Sequence, residues 1–427
     1  MNFLIIGSGP AGIFAAEAIR MRDKESSITM VTEDRGLAHS PVMLTYWMAG
    51  GLPRETLFFR DPSWAEKMSA DVKLGCRVML LNTASKKATL SDDQEISYDR
   101  LLIATGSVPL SLPIPGIKSK GVTALRTLFD AEKIFEEGDN VKEVVIIGGG
   151  FIGLKLACHL KERGLGVTVF EKEPKLAARM FDLKASRLIE EKLREKGIWV
   201  ETDVEVAEVL NEKEWVSKVR MKDGRIFFCQ RVIEAVGVRP NTQFLVGSGI
   251  DLNGGVLVNE RMETNVPGVY AAGDVTMTID SITSERVNNA TWPAATRQGT
   301  VAGWNMAGGN RTYIHNFTMN AINLFGLQVM AAGHAYFQEG PEVDVSQEER
   351  EGCYRKIVVK TGRLIGFILI GDISGAGFLL NLMKKKSHIS FPSRDLLSHS
   401  LSLQHYLPPN LGYYHSILFD KPRMKFS

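Results

Sequence analysis

Cysteine is scarce and scattered. Cys76, Cys158, Cys229 and Cys353 are spread over 427 residues, and no two stand in a CxxC or metal-knuckle spacing. That argues against a secreted disulfide framework and leaves reduced thiols that pack. Histidine is sparse too: the eight residues form no HxH or HxxxH cluster, so no metal site is expected. The formal net charge is only +2, too small to give a global field for nucleic acid. No apolar run reaches the length of a membrane span. The opening segment MNFLIIGSGPAGIFAAEAIR lacks a basic n-region, and a glycine turn interrupts it. It reads as strand, turn and helix rather than as a signal peptide. The expected setting is reduced and cytoplasmic.

What remains is an ordinary globular composition, 44% hydrophobic and 23% charged, in a chain long enough for two or three cores. Residues 3–6 (FLII) form a short apolar run that suits a strand buried on both faces. Gly7-Ser8-Gly9-Pro10-Ala11-Gly12 follows, then a helical pattern, then ITMVTE (Ile28–Glu33), a second strand ending in an acid. In such a βαβ unit the first glycine permits the tight turn. The second lets backbone approach a pyrophosphate, and the third allows close helix–strand packing. The helix start attracts the anion. The pattern recurs: EVVIIGGGFIGLKLACHL carries Gly148, Gly150 and Gly153, and GVTVFEK ends at Glu171 and Lys172. One such turn is weak evidence; two, each with its strand, helix and closing acid, predict two dinucleotides in one chain. The natural pair is FAD and NAD(P)H, with hydride passing between them.

Two further stretches, YDRLLIATGSVP (Tyr98–Pro109) and TNVPGVYAAGDV (Thr264–Val275), complete an ordered set. With them the chain resembles the pyridine nucleotide-disulfide oxidoreductase superfamily over nearly its whole length. The resemblance implies an α/β fold with two Rossmann-like dinucleotide-binding domains, the NAD domain inserted into the FAD domain, plus a C-terminal α+β interface domain. The Pro/Gly-rich crossovers LPIPGI and VGVRPNTQF place the FAD domain at 1–115 and 241–312, the NAD domain at 116–240 and the interface domain at 313–427. In the last part RKIVVKTGRLIGFILIG reads as a hairpin turning at Thr361-Gly362. The tail beyond Ser387 shows too little periodicity to read.

The resemblance also implies site residues. FAD would meet Gly7, Gly9, Pro10, Ala11, Gly12, Glu33, Ala104, Thr105, Gly106, Gly273 and Asp274, the last holding the ribitol. TWPAATRQG would start a helix, with Thr291 as N-cap, Trp292 and Pro293 in the first turn, and its positive end toward the flavin pyrimidine. LRTLFDAEKI resembles the LRxxxDA segment of ferredoxin and rubredoxin reductases, so Arg126 would either contact FAD phosphates or stand solvated at a helix start. Val78 falls in a loop position expected to meet adenine through its backbone. His39 and Ser40 are expected beside the flavin. NAD(H) would meet Gly148, Gly150, Phe151, Ile152, Gly153, Glu171, Lys172 and Gly237. Glu171 would favour NADH over NADPH by binding the ribose diol and repelling a 2′-phosphate. Where much of the family has a glutamate, this chain has Lys155. It would serve as a catalytic cation beside the flavin or point to solvent. Lys384-Lys385-Lys386 is a solvated face or a dock for an acidic carrier.

The stretch HSPVML (His39–Leu44) has no cysteine pair where disulfide-reducing flavoproteins carry one. Extended to Gly51, it resembles a segment of nitrite-reductase-like and anaerobic NADH:acceptor flavoproteins. The expected activity is an FAD-dependent NADH:acceptor oxidoreductase that exchanges electrons with an iron–sulfur carrier, ferredoxin- or rubredoxin-like, without a thiol relay. The alternatives are an NADH oxidase or small-molecule or disulfide reductase, and, from another class, a nucleotide-stabilised binding protein. A homodimer is left open, and so is the direction of electron flow.

Overall fold

A computed structural model describes residues 1–135, 141–314, 316–389 and 391–397. The chain divides into two compact units, one ending at Leu327 and the other beginning at Gln328.

In the first unit β1 (Asn2–Ile6) leads through the first glycine turn into α1 (Pro10–Arg22). β2 (Ser27–Thr32), α2 (Pro41–Met48), β3 (Ala70–Leu74) and β4 (Arg100–Ile103) follow. β5 (Val122–Ala124) and β6 (Glu143–Ile147) open the next sheet. α3 (Phe151–Glu162), β7 (Gly166–Phe170), β8 (Ile198–Glu201) and β9 (Arg231–Glu234) complete it. The chain then returns with β10 (Val269–Ala271) and α4 (Trp292–Met306).

The first sheet runs β10-β4-β1-β2-β3 and the second β8-β7-β6-β9-β5. Every pairing in both is parallel. Their central strands are apolar on both faces, as strands covered by crossover helices must be: four of the five residues of β1 and of β6 are buried. The second sheet is thus an insertion between β4 and β10 of the first.

The two crossovers also pair with each other. Ser107–Pro109 and Val238–Pro240 form a short antiparallel ladder. This brings both passages between the sheets to one place.

The second unit is an antiparallel sheet ordered β11-β14-β13-β12, from β11 (Leu327–Gly333), β12 (Val343–Arg350), β13 (Cys353–Lys360) and β14 (Arg363–Ile370). The β13–β14 turn falls at Thr361-Gly362, both with positive φ. α5 (Ala376–Lys385) follows. Tyr313 N–H donates to the Glu260 carbonyl, and Asn316 accepts from the Ser281 N–H, both in the first unit. Of the tail, Ser393–Leu397 forms a single 3₁₀ turn, and positions 398–427 lie outside the described residues. No helix among the described residues is long and apolar enough to cross a membrane.

Candidate functional site: two glycine-rich cradles

The first cradle is closed by backbone on two sides and open on the third. Gly7 has φ +112°, and a Cβ there would strike the Ala104 carbonyl; a Cβ on Gly12 would strike the Gly7 carbonyl. At Gly9 a Cβ would meet nothing within 4 Å. The second cradle repeats this arrangement. Gly148 abuts Ala235 and Gly153 abuts Gly148, whereas Gly150 faces open space. Each cradle thus has its open position at the helix N-cap, Gly9 for α1 and Gly150 for α3. First-turn amides have no intrahelical partner there, so the geometry suits a pyrophosphate.

Around the first cradle the motifs converge. Gly273 packs on Ala11, and its N–H donates to the buried Gln298 side chain of α4 at 2.8 Å. Gly299 and Gly303 let α4 lie directly on Ala11 and Ala15 of α1. This contact fixes where α4 begins. Its N-cap is Thr291, whose hydroxyl donates to Asn289 Oδ1 at 3.3 Å and makes no cap hydrogen bond. The capping reading is therefore correct in position and wrong in bonding: the first-turn amides, beside Trp292 and Pro293, are not capped by Thr291. Trp292 stands edge-on to Phe59 with ring centroids 4.8 Å apart.

Asp274 follows Gly273, and its Oδ2 accepts from Ser107 Oγ and Arg126 Nη2, each at 3.0 Å. Arg126 is therefore not a solvated helix-start arginine; its guanidinium lies in the site and pairs with an acid. Its segment is held by Asp130, which accepts from the N–H groups of Arg126 and Thr127, while Thr127 Oγ1 accepts from the Asp130 N–H. Thr105 donates to the Asn241 carbonyl at 2.9 Å, tying the ATG segment to the return crossover. Glu33 is exposed just past β2, 3.6 Å from Arg77. Val78 is not in a loop: it opens strand Val78–Asn82, pairs with Leu90 and is buried. Its side chain packs in the core with those of Leu81 and Leu90.

His39 and Ser40 are both buried at the head of α2. His39 Nδ1 lies 3.6 Å from Asp34, and its Nε2 has no protein partner. Burial pushes its pKa below the ordinary value; Asp34 opposes this and Arg126 reinforces it.

In the second cradle Glu171 is braced. One carboxylate oxygen accepts from the Gly149 N–H at 2.7 Å and the other from the Glu173 N–H at 2.8 Å. Lys172 is exposed and reaches Glu173. Phe151 packs on Phe181, and Ile152 is exposed. Gly237, with φ +111°, accepts the Leu110 N–H at 2.9 Å.

Lys155 does not point freely to solvent. Its Nζ lies 3.7 Å from the ring centroid of Tyr46 on α2, a cation–π contact between the inserted sheet's helix and the first sheet's helix. Tyr46 in turn stands 4.8 Å from the His159 ring. Burial first, then the Lys155 charge, pushes the His159 pKa down to about 4, so this imidazole is neutral at neutral pH. No local pattern marks Tyr46, Ser107 or Glu234, because each meets a partner distant in the chain. The four cysteines are free. Burial pushes the Cys158 and Cys229 thiols up to about 12. Lys384, Lys385 and Lys386 are exposed at the end of α5.

Two glycine-rich cradles, one beside a half-buried aspartate and a helix start without a side-chain cap, the other with a braced glutamate, define a two-nucleotide flavoprotein oxidoreductase. The family comparison agrees. Residues 1–299 match the pyridine nucleotide-disulphide oxidoreductase model, and residues 319–387 match the rubredoxin NAD+ reductase C-terminal domain. The chain belongs to the pyridine nucleotide-disulphide oxidoreductases, and it is an enzyme of the FAD- and NAD(H)-binding kind.

It is 32% identical to the NADH-dependent phenylglyoxylate dehydrogenase subunit epsilon of Aromatoleum evansii, over 91% of this chain and 93% of that protein. It is 30% identical to the nitrite reductase [NAD(P)H] of Bacillus subtilis, over 94% of this chain but only 49% of that protein. Among solved structures, NADH:rubredoxin oxidoreductase from Clostridium acetobutylicum superposes with a TM-score of 0.78 at 26% identity, covering 94% of this chain and 99% of that one.

Proposed function

We propose that this enzyme takes electrons from NADH and passes them from its FAD to an iron–sulfur carrier protein or subunit, with no thiol relay. The observation that carries this reading is the segment after β2. It forms α2, packed by Tyr46 against Lys155 of α3, and contains no cysteine. The buried Cys158 and Cys229 have thiol pKa values near 12, unsuited to exchange, which needs thiolate. The match to a rubredoxin reductase C-terminal domain and the likeness to a dehydrogenase subunit support a protein acceptor. Bound FAD supplies the chemistry that links a two-electron donor to a one-electron acceptor.

The chain's own residues would do the rest. Gly9 and the α1 start receive the FAD pyrophosphate, and Asp274, oriented by Ser107 and Arg126, receives the ribitol. The open first turn of α4 would lie toward the flavin pyrimidine and would favour negative charge there. Glu171 receives the adenosine ribose of NADH. Lys155, held over Tyr46, would keep a cation between α2 of the first sheet and α3 of the second.

The test replaces Cys158 and Cys229 by alanine and Cys76 and Cys353 by serine, which respects burial. The variant should keep its FAD and sustain NADH-dependent reduction of a ferredoxin-type or artificial one-electron acceptor. Loss of acceptor turnover with FAD reduction intact would show a thiol relay and overturn the proposal. Oxygen consumption matching acceptor turnover would favour an oxidase.

Lys155→Met tests the cation. Anaerobic FAD reduction by NADH should slow by roughly a hundredfold, as for loss of one electrostatic stabiliser, with FAD content unchanged. Stopped-flow traces and a flavin midpoint potential indistinguishable from the parent would mean that Lys155 only packs.

A further inference from the structure

Glu234 is a buried carboxylate at the end of β9, whose four residues are all buried. It stands in register with Ile147, the residue before the second cradle. The next residue, Ala235, supplies the carbonyl against which Gly148 packs. The carboxylate turns away from the sheet toward the outgoing crossover. Both of its oxygens lie 3.1 Å from Ser111 Oγ, which donates to them, and Oε1 accepts the Leu112 N–H at 2.8 Å. Immediately upstream the crossover is in the Ser107–Pro109 ladder, and Leu110 N–H donates to Gly237. Downstream the Pro115 carbonyl accepts the Val209 N–H of the inserted domain. Glu234 therefore grips the crossover at the point where the chain passes from one nucleotide domain to the other.

Stability alone does not account for a carboxylate here. Taking the charge out of water is costly, and a hydroxyl and an amide offset that cost only in part. Burial accordingly pushes the Glu234 pKa up. A raised carboxylate pKa means that the folded state favours the protonated form. The associated stability is greatest below the unfolded pKa and declines as pH rises toward the folded one. At neutral pH a carboxamide is expected to fold at least as well.

We propose that Glu234 is a positioning residue: by clasping Ser111 and Leu112 it fixes the NAD cradle relative to the FAD cradle, and so sets the alignment needed for electron transfer between the two nucleotides. This rests on the reading that NADH reduces the bound FAD. Small misplacements weigh heavily in such a step, since a shift on the order of 1 Å can cost about a hundredfold in rate.

The experiment uses FAD-loaded full-length protein with Glu234→Ala, Glu234→Gln, Ser111→Ala and the Glu234→Ala/Ser111→Ala double variant. Two quantities are measured: the limiting rate and half-saturation of FAD reduction in anaerobic stopped flow, and hydrogen exchange at the Leu112 amide. Glu234→Ala should lower the limiting rate by about tenfold with little change in half-saturation, and should speed Leu112 exchange. Glu234→Gln keeps an acceptor for Leu112 and should restore most of the rate without loss of Tm. The double variant should be no slower than Glu234→Ala, because both changes break one clasp.

A parental limiting rate in Glu234→Ala, or unchanged Leu112 exchange, overturns the proposal. So does additive loss in the double variant. If Glu234→Ala fails to fold, Glu234→Gln and Ser111→Ala still decide: loss in Ser111→Ala that Glu234→Gln does not share supports the clasp, and parental behaviour in Ser111→Ala refutes it. Failure of NADH to reduce even the parent enzyme would overturn the functional reading instead, while Leu112 exchange would still report on the clasp.

Discussion

Gly9→Val should give a folded protein that has lost its yellow colour. A Cβ at Gly9 meets no protein atom within 4 Å, so the fold has room for the valine. The space it fills is the space the cradle leaves for a pyrophosphate. Charge-assisted hydrogen bonds are worth about 1.5–3 kcal/mol each, so losing one or two at the α1 start should weaken FAD binding by roughly a hundredfold. Gly12→Val should behave differently. Its Cβ would strike the Gly7 carbonyl, which no rotamer relieves, so destabilisation of at least about 1–3 kcal/mol is expected from overpacking alone. Absorbance at the flavin band after gel filtration reads the first effect. Thermal unfolding of the cofactor-free forms reads the second, since bound cofactor itself raises Tm. Full FAD retention in Gly9→Val would remove the first cradle from the FAD site.

That contrast also shows which parts of the molecule were legible in its sequence. Gly7, Gly12, Gly148 and Gly153 are local requirements of a tight turn and a close helix, and local requirements leave a local pattern. The β13–β14 turn at Thr361-Gly362 was readable for the same reason. What escaped reading depends on partners far away in the chain. Arg126 pairs with Asp274, and Ser107 shares the same oxygen. Lys155 meets Tyr46, and Glu234 meets Ser111. None of these pairs is implied by periodicity or spacing. The loop assignment of Val78 rests on family resemblance alone, and the resemblance does not carry the local pairing with Leu90 that makes it the first residue of a strand. Thr291 was placed correctly because N-cap position follows from the proline and the helical run, yet a neighbouring asparagine took its hydroxyl.

Nucleotide preference should rest on Glu171, and the enzyme should favour NADH over NADPH. The carboxylate stands just past β7 with each oxygen already accepting one backbone N–H, from Gly149 and from Glu173. Those bonds lock its orientation at the mouth of the second cradle. Each oxygen keeps acceptor capacity for a ribose hydroxyl, while the fixed negative charge repels a 2′-phosphate. Glu171→Gln removes the charge and replaces one oxygen by an NH₂ group, which cannot accept from a backbone N–H. One brace and one diol contact are therefore lost together. At about 1.5–3 kcal/mol for a hydrogen bond to a charged group, kcat/KM for NADH should fall by roughly ten- to a hundredfold. The value for NADPH should fall less or rise, because the repulsion has gone. Exposed Lys172, next in sequence, stays in place in the variant and offers a 2′-phosphate a cation that Glu171 no longer offsets. Steady-state kcat/KM for both nucleotides, measured on parent and variant at one ionic strength, decides the matter. A parent ratio near unity, or a variant that loses NADH and NADPH activity in equal measure, would mean that Glu171 braces the glycine loop and does not select the nucleotide.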